Sequence, residues 1–262
     1  MINIWYKNLV DTFGNVISAS SAATGFPAVN VSNNQPTVIW LSGTSLTKEW
    51  VLVDMGAAVA VTDFICAFHN LTSGDSALTL QYGNVATTGI GGLTTPAGTQ
   101  SLTWTAGPIQ KSFSTQTYRY FCFVFTKSSS SQSRQIGRIY LGTVATVNPP
   151  DFDTGVTCIR QDLSLVNTAR SGQDYGILKP SKRLWTLTWT QTPASDFTTL
   201  DAVYYLGGKV LKFFMQIDSN SGDPRLNVIA YVRFSDDFQT ADVDALDSSQ
   251  CWGLSCDWLE QI

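Results

Sequence analysis

The strongest constraint on this chain is the spacing of its apolar runs. Glu49–Met55 (EWVLVDM), Val61–Phe68, Ala77–Tyr82 (ALTLQY), Ser101–Thr105, Tyr118–Thr126 (YRYFCFVFT) and Arg134–Gly142 (RQIGRIYLG) are short and rich in β-branched or aromatic residues, with turn-rich segments between them. Strand side chains alternate between two faces, so these runs predict half-buried strands. The continuous run YRYFCFVFT must be buried on at least one face. Gly89–Thr99 and Lys127–Ser133 (KSSSSQS) read as loops. Short strands at this spacing, with no helical pattern among them, indicate an antiparallel sandwich.

The second half is also strand-rich. Val156–Leu165, Arg183–Gln191 (RLWTLTWTQ), Val210–Ile217 and Leu226–Phe234 are strand candidates, with a final one in Cys251–Ile262. In LWTLTWT, Trp185, Leu187 and Trp189 share one apolar face. One helix is expected. Ser195 or Asp196 would cap it, Phe197, Leu200, Val203 and Tyr204 would line it, and Gly207-Gly208 would end it. Pro149-Pro150 stiffens the segment Thr143–Asp153, which predicts a boundary between domains 1–145 and 146–262. Charge changes across it: residues 1–146 hold seven basic and five acidic groups (+2), and residues 147–262 nine and fifteen (−6). The fold class is therefore mainly β: two β-sandwich domains, the second with one short helix.

Composition removes several classes of function. Apolar residues make up 44% and net charge is only −4, which excludes disorder. A pI near 4.9 argues against nucleic acid. No apolar run nears the roughly 18 residues of a membrane helix, so no membrane insertion is expected. The N-terminal MINIWYKNLVDTFG lacks a signal-peptide pattern. Charged residues are 14%, while Ser and Thr number 56, so the surface is polar through hydroxyls and amides. Such a surface suits protein contacts or neutral ligands such as sugars. The five cysteines, Cys66, Cys122, Cys158, Cys251 and Cys256, form no disulfide framework and point to folding in a reducing cytoplasm.

Little in the chain suggests catalysis. His69 is the one histidine, which excludes a multi-His zinc site and leaves a strand-end hydrogen-bonding role. No nucleophile elbow occurs, and Gly89-Ile90-Gly91-Gly92 lacks the Lys of a phosphate loop. Asp236, Asp237, Asp242, Asp244 and Asp247 read as a solvated or partner-facing acidic loop, with a calcium loop as the alternative. Trp40, Trp50, Trp104, Trp185 and Trp189 lie in or beside strands, where aromatic rings fill cores; an exposed one would be a sugar platform. Trp40 and Trp50 are expected between sheets, Asp54 is expected to fix the turn at Gly56, and Asn30, His69 and Asn70 to satisfy loop backbone. Paired carboxylates of a glycoside hydrolase cannot be picked out from twenty acids.

Residues 18–142 resemble the discoidin-type (F5/8 type C-like, galactose-binding-like) jelly roll. The matching pieces are Ala-Val-Asn in FPAVNVSNNQPTVIW, Thr37-x-x-Trp40-x-Ser42, Trp50-x-x-Val53-Asp54-Met55-Gly56, Tyr118-Arg119-Tyr120 and Ile136–Leu141. The terminal Cys pair of extracellular members is absent. The resemblance implies ligand binding through loops at one end of the sandwich, here including Asn33, Asn34 and Gln35. The second half is similar to tail proteins of long-tailed bacteriophages. That likeness rests on Ala169–Gly172, Gln173-x-Tyr175-Gly176, Arg183–Trp189, Asp196-x-x-x-Leu200, Gly207, Phe213–Asp218 and Arg225–Phe234. It implies a structural component of the distal tail, tail tip or baseplate, assembled in the host cytoplasm into the virion. Its partners would be other tail proteins and copies of itself in a ring, with no catalysis, cofactor or metal. The alternative is a carbohydrate- or receptor-binding module meeting a host-surface glycan.

Overall fold

The structure is a computed structural model and describes residues 1–12, 14–89, 91–150, 155–237, 239–242 and 252–261. In chain order the strands are β1 (Ile2–Trp5), β2 (Val16–Ala19), β3 (Trp40–Leu41), β4 (Lys48–Ala67), β5 (Ser76–Gly83), β6 (Thr88–Gly89), β7 (Gly92–Leu93), β8 (Gly98–Ser101), β9 (Ile109–Thr126), β10 (Gln135–Ile136) and β11 (Arg138–Gly142). Then follow β12 (Ala145–Val147), β13 (Val156–Gln161), β14 (Leu165–Thr168), β15 (Asp174–Ile177), β16 (Lys182–Thr192), helix α1 (Ala194–Tyr205), β17 (Lys212–Gln216), β18 (Ala230–Phe234), β19 (Gln239–Asp242) and β20 (Trp252–Glu260). The protein is mainly β, as its alternation predicts.

The chain divides into an inserted unit, Lys7–Val144, and an outer unit made of Met1–Tyr6 and Ala145–Ile262. The expected boundary lies beside the observed return at Ala145. The first six residues, however, belong with the second half. β1 pairs on one side with β12 (Ile4↔Ala145) and on the other with β17 (Trp5↔Phe214). Ile2 and Ile4 are fully buried in the outer core, so burial of the first strand fixes its allegiance.

In the inserted unit β4 and β9 form one long antiparallel ribbon. Glu49–Met55 and Val61–Phe68, expected as two strands, are the two halves of β4. The register shifts between Asp54 and Val59 and again between Val61 and Asp63. Inward residues change parity across these bulges: Val51, Val53 and Met55 before them, Phe64 and Cys66 after. Gly56 sits at φ +74, and its N–H donates to Asp54 Oδ1 at 2.8 Å, the turn fixture expected of that carboxylate. The ribbon folds over at this point. Phe64 pairs across the strands with Lys111, yet its ring lies 5.2 Å from Phe123, whose own partner is Val51. The two ribbon halves thus face each other as a sandwich, with β2, β5 and β8 extending one and β11 the other.

Two short expectations fail for local reasons. The strand expected at Ser101–Thr105 lies at Gly98–Ser101, leaving Trp104 in a loop with its Nε1 donating to the Leu71 carbonyl at 3.0 Å. Gly89–Thr99, expected as plain loop, contains the β6–β7 hairpin. That hairpin seats Leu93 on an outer apolar patch of Leu52, Tyr120, Cys122 and Val124. Trp50 belongs to this patch and not to the space between sheets, and its Nε1 donates to the Gly89 carbonyl at 3.0 Å. Trp40 does fill the inner core, fully buried and edge-on to Phe125.

The outer unit forms one continuous eight-stranded sheet, β12-β1-β17-β18-β20-β16-β13, with β19 added beside β20. Trp185, Leu187 and Trp189 share its core with Trp258, Phe213 and Phe234, as the alternation in LWTLTWT requires. Helix α1 buries Leu200 and Val203 on this core. Its N-cap is Pro193, without a side-chain cap bond, and not Ser195 or Asp196. Asp196 instead accepts from the backbone N–H and side-chain amide of Asn148, both at 2.8 Å. The strand expected over Val156–Leu165 stops at Gln161.

Removing residues 1–6 takes out the strand between β12 and β17. Limited proteolysis of that truncation is expected to cut within 145–262 and leave a protected fragment spanning 7–144. Equal protection of both regions would contradict the insertion. Gly92 stands at φ +91, where an added Cβ would come within 2.5 Å of Gln81 Oε1 and 2.6 Å of Val124. Gly92→Ala is expected to cost about 1–3 kcal/mol, read as a lower urea midpoint at unchanged slope.

Candidate functional site

At the end of the folded sandwich where β4 begins and ends, the connecting segments meet. Charged groups are buried there, and they are paired. Glu49 and Lys127 have fully buried side chains, 3.1 Å apart. Lys127 Nζ also donates to the Gly43 carbonyl at 2.8 Å, while the hydroxyls of Ser20 and Ser21 donate to Glu49 Oε2. Arg134 grips Asp75 with two parallel bonds of 2.8 and 2.9 Å. Asp75 accepts further from the N–H groups of Thr72 and Ser128 at 2.7 and 2.8 Å.

Ser42 links the two pairs. Its N–H donates to the Arg134 carbonyl and its hydroxyl accepts from the Arg134 N–H. The polar chain thus runs from Asp75 through Arg134, Ser42–Gly43 and Lys127 to Glu49, Ser20 and Ser21. Breaking a buried pair leaves a charge without solvent or partner, which makes these segments hard to displace. Burial alone would raise the Asp75 carboxyl. The Arg134 guanidinium and the two N–H donors overcome that and hold it down at about 2.

The residues expected to bind ligand lie on the surface of this unit. Asn33, Asn34 and Gln35 are exposed. Asn33 Oδ1 accepts from the Gln35 N–H at 2.8 Å, and Asn34 Oδ1 accepts from buried Arg138 at 2.9 Å. Arg138 also donates to the Ser32 carbonyl and to Asp11. The two asparagine oxygens therefore shape the loop, and Gln35 is left to face solvent.

Asn30 donates to the Ile39 carbonyl and Asn70 accepts from the Gln135 N–H, the backbone roles expected of them. His69 Nε2 lies 2.9 Å from the Gly107 carbonyl and donates to it. Burial keeps the imidazole below its ordinary pKa, despite that bond and the Asp75 charge, so the ring is neutral at pH 7. The sequence offers tryptophans and tyrosines as exposed platforms, and no phenylalanine is expected in that role. The exposed ring beside these loops is Phe26, 39% accessible, held where Leu41 N–H bonds the Phe26 carbonyl. Its signal is thin: a lone aromatic residue directly before a proline.

Other candidates resolve as structure. Arg119 forms a bidentate pair with Asp54 on the bulge, and this bonding lowers the Asp54 carboxyl. Burial raises the Cys66 and Cys256 thiols and takes Cys122 up to about 12, so these three are unreactive apolar packing groups. Asp236 and Asp237 pair with Lys209. Asp244, Asp247 and Cys251, with the Asp242 side chain, lie outside the described residues. Among the described residues no group of three potential metal ligands occurs.

No known protein family matches the chain, and no curated protein matches it. Solved structures do show a likeness. One is chitosan-binding module 1 of a chitosanase/glucanase from Paenibacillus sp. IK-5, at 18% identity and a TM-score of 0.41, over 52% of this chain and 98% of that one. Another is the lectin domain of lectinolysin complexed with Lewis B antigen, at 15% and 0.41, over 53% and 99%. A third is a fucose-binding module, SpX-3, of Streptococcus pneumoniae, at 8% and 0.41, over 52% and 97%.

Asp75→Asn removes the counter-charge of buried Arg134 and is expected to cost about 3–5 kcal/mol in denaturant unfolding. The pH dependence follows from the depressed carboxyl. Its contribution is complete above the ordinary value of 3.8 and is lost as pH falls through about 2. Acid unfolding of the Asp75→Asn variant is expected to be flatter across that window than that of the parent.

Proposed function

We propose that this chain is a non-enzymatic binding and assembly protein. In this reading the inserted unit is a discoidin-like, carbohydrate- or receptor-binding module. The outer unit builds it into a bacteriophage tail, at the distal tail, tail tip or baseplate, after assembly in the host cytoplasm.

The observation that carries the binding role is the braced loop end. β11 runs from Arg138, opposite Ala67 at that end, to Gly142, opposite Asp63. The chain joins the outer unit beyond Gly142, roughly 13 Å further along at ~3.3 Å per residue. The loops are thus held rigid from beneath by buried ion pairs and lie away from the covalent junction. Rigid support of this kind lowers the entropy lost when a ligand is gripped. What the surface offers there is neutral: the amide of Gln35, serine hydroxyls of the 128–133 segment, and the Phe26 ring. Neutral hydrogen-bonding groups beside an apolar ring suit a sugar, whose hydroxyls and C–H faces alternate.

A non-catalytic role is supported by how the buried acids are used. Glu49 and Asp75 are neutralised by cations, and Asp63 accepts from Ser112, Thr62 and the Val144 N–H. Each is committed to a structural bond. The tail assignment rests on the sequence resemblance across residues 169–234.

A glycan array probed with the full chain is expected to show binding to neutral oligosaccharides. Phe26→Ala and Gln35→Ala are each expected to weaken it about tenfold, or ~1.4 kcal/mol, with melting unchanged. Absence of glycan binding would overturn the binding role. A reconstructed phage particle with this chain outside the tail would overturn the assembly role.

A further inference from the structure

The segment between β13 and β16 forms an arm that no other described residue of the outer unit covers. β14 and β15 pair only with each other among the described residues, in register Leu165↔Ile177, Val166↔Gly176, Asn167↔Tyr175 and Thr168↔Asp174. The hairpin is well made. Gly172 at φ +82 closes its turn, with Ala169 N–H bonded to the Gln173 carbonyl. Its base is pinned by Ser164, whose N–H donates to Asp162 and whose hydroxyl accepts from Lys179 N–H. Alternation puts Leu165, Tyr175 and Ile177 on one face. All three are between 49% and 60% exposed, and Val166 on the other face is 67% exposed. A lone two-stranded hairpin is marginal in water, and an apolar stripe on it is a surface made to be covered.

Charge indicates the cover. Residues 159–183 hold five of the outer unit's nine basic groups (Arg160, Arg170, Lys179, Lys182 and Arg183) against two acids, Asp162 and Asp174. The arm region is thus +3. The rest of residues 147–262 carries the other four basic groups and thirteen acids, −9. On that acidic remainder lies a second exposed apolar patch, at the end of α1 and just beyond it. Tyr205 and Val210 are 87% and 82% exposed, with Leu206 between them and Asp201, Asp236 and Asp237 exposed nearby on the same unit. Tyr204 Oη bonds Asp237 and Lys209 bonds Asp236, which places the two aspartates beside this helix end.

From these two patches we infer that the β14–β15 arm of one copy docks on the α1 end of a second copy of this chain. A basic, apolar arm matches an acidic, apolar patch of the same sequence. Because the two patches differ, each copy can both give an arm and receive one, in a reciprocal pair or head-to-tail. This deepens the assembly role proposed above and rests on it. It does not depend on glycan binding.

The test uses the full chain in sedimentation velocity over a range of concentration and salt. The parent is expected to associate, and to do so more weakly at high salt. The double variant L165S/I177S disables the arm, and Y205S/V210D disables the patch. Each alone is expected to weaken association about 100-fold with unchanged melting, since all four residues are already exposed. Mixed together, the two variants are expected to form dimers and nothing larger, because one competent contact survives. A parent that stays monomeric overturns the inference, as does association untouched by the arm variant. A mixture that stays monomeric overturns the choice of the α1 end as acceptor. A parent that associates through the arm while the chain is absent from tails would remove the tail reading and leave the contact standing.

Discussion

The antiparallel pairing of Ile4 with Ala145 is the constraint on which the arrangement rests. It lets a sheet be interrupted without being broken: the chain leaves beside one strand and returns beside its neighbour. The inserted unit meets the same demand from within. Asn8 accepts from the Leu141 N–H and donates to the Ile139 carbonyl, so the entering chain is held against β11, the strand from which it exits. Gly142 fits there because a side chain would come within 2.6 Å of the Lys7 carbonyl. Neighbouring ends are what allow a folded unit to be inserted in another without strain in either.

Within the inserted unit the electrostatics concern loops more than the core. Glu49–Lys127 and Asp75–Arg134 are separated by 78 and 59 residues in sequence; the first clamps the end of the β4–β9 ribbon, and the second joins segments that share no strand pairing. Isolated buried pairs seldom add net stability over apolar packing. Their value here is geometric: they fix where the loops stand relative to the sandwich. A low overall charge is consistent with this use. Most of the few charged groups of the inserted unit are spent on bracing, and its exposed loops are rich in amides and hydroxyls.

Much of this was legible in the sequence. Alternation gave ALTLQY and LWTLTWT their buried faces correctly, because inward and outward positions differ sharply there. The Asp54–Gly56 turn was readable because a side-chain bond two residues on is local chemistry. Three things were not. The first strand's partners lie some 140 and 210 residues away, beyond any local pattern. The continuity of β4 was hidden because its bulges place turn residues inside a strand, and a period-2 pattern that changes phase reads as two strands. The β6–β7 hairpin looked like flexible loop, since Gly92 answers to a close approach by Gln81 and Val124 that sequence does not display. The candidate residues Asn33–Gln35 are exposed, and two of their three side-chain oxygens hold the loop: Asn33 through a local turn bond and Asn34 through buried Arg138.

The position of β1 also sets an order of events during synthesis. Ile2 and Ile4 leave the ribosome before the 138 residues of the inserted unit, and their partners follow only afterwards. At ~5–20 residues per second, that apolar strand waits roughly 7 to 30 seconds for β12. Folding of the inserted unit in the interval would convert a long loop closure into a short one by bringing Lys7 and Val144 together. The inserted unit would then act as a template for the sheet it interrupts. A defect in its folding would leave β1 exposed and the outer unit without its central-edge strand, even though no outer residue had changed.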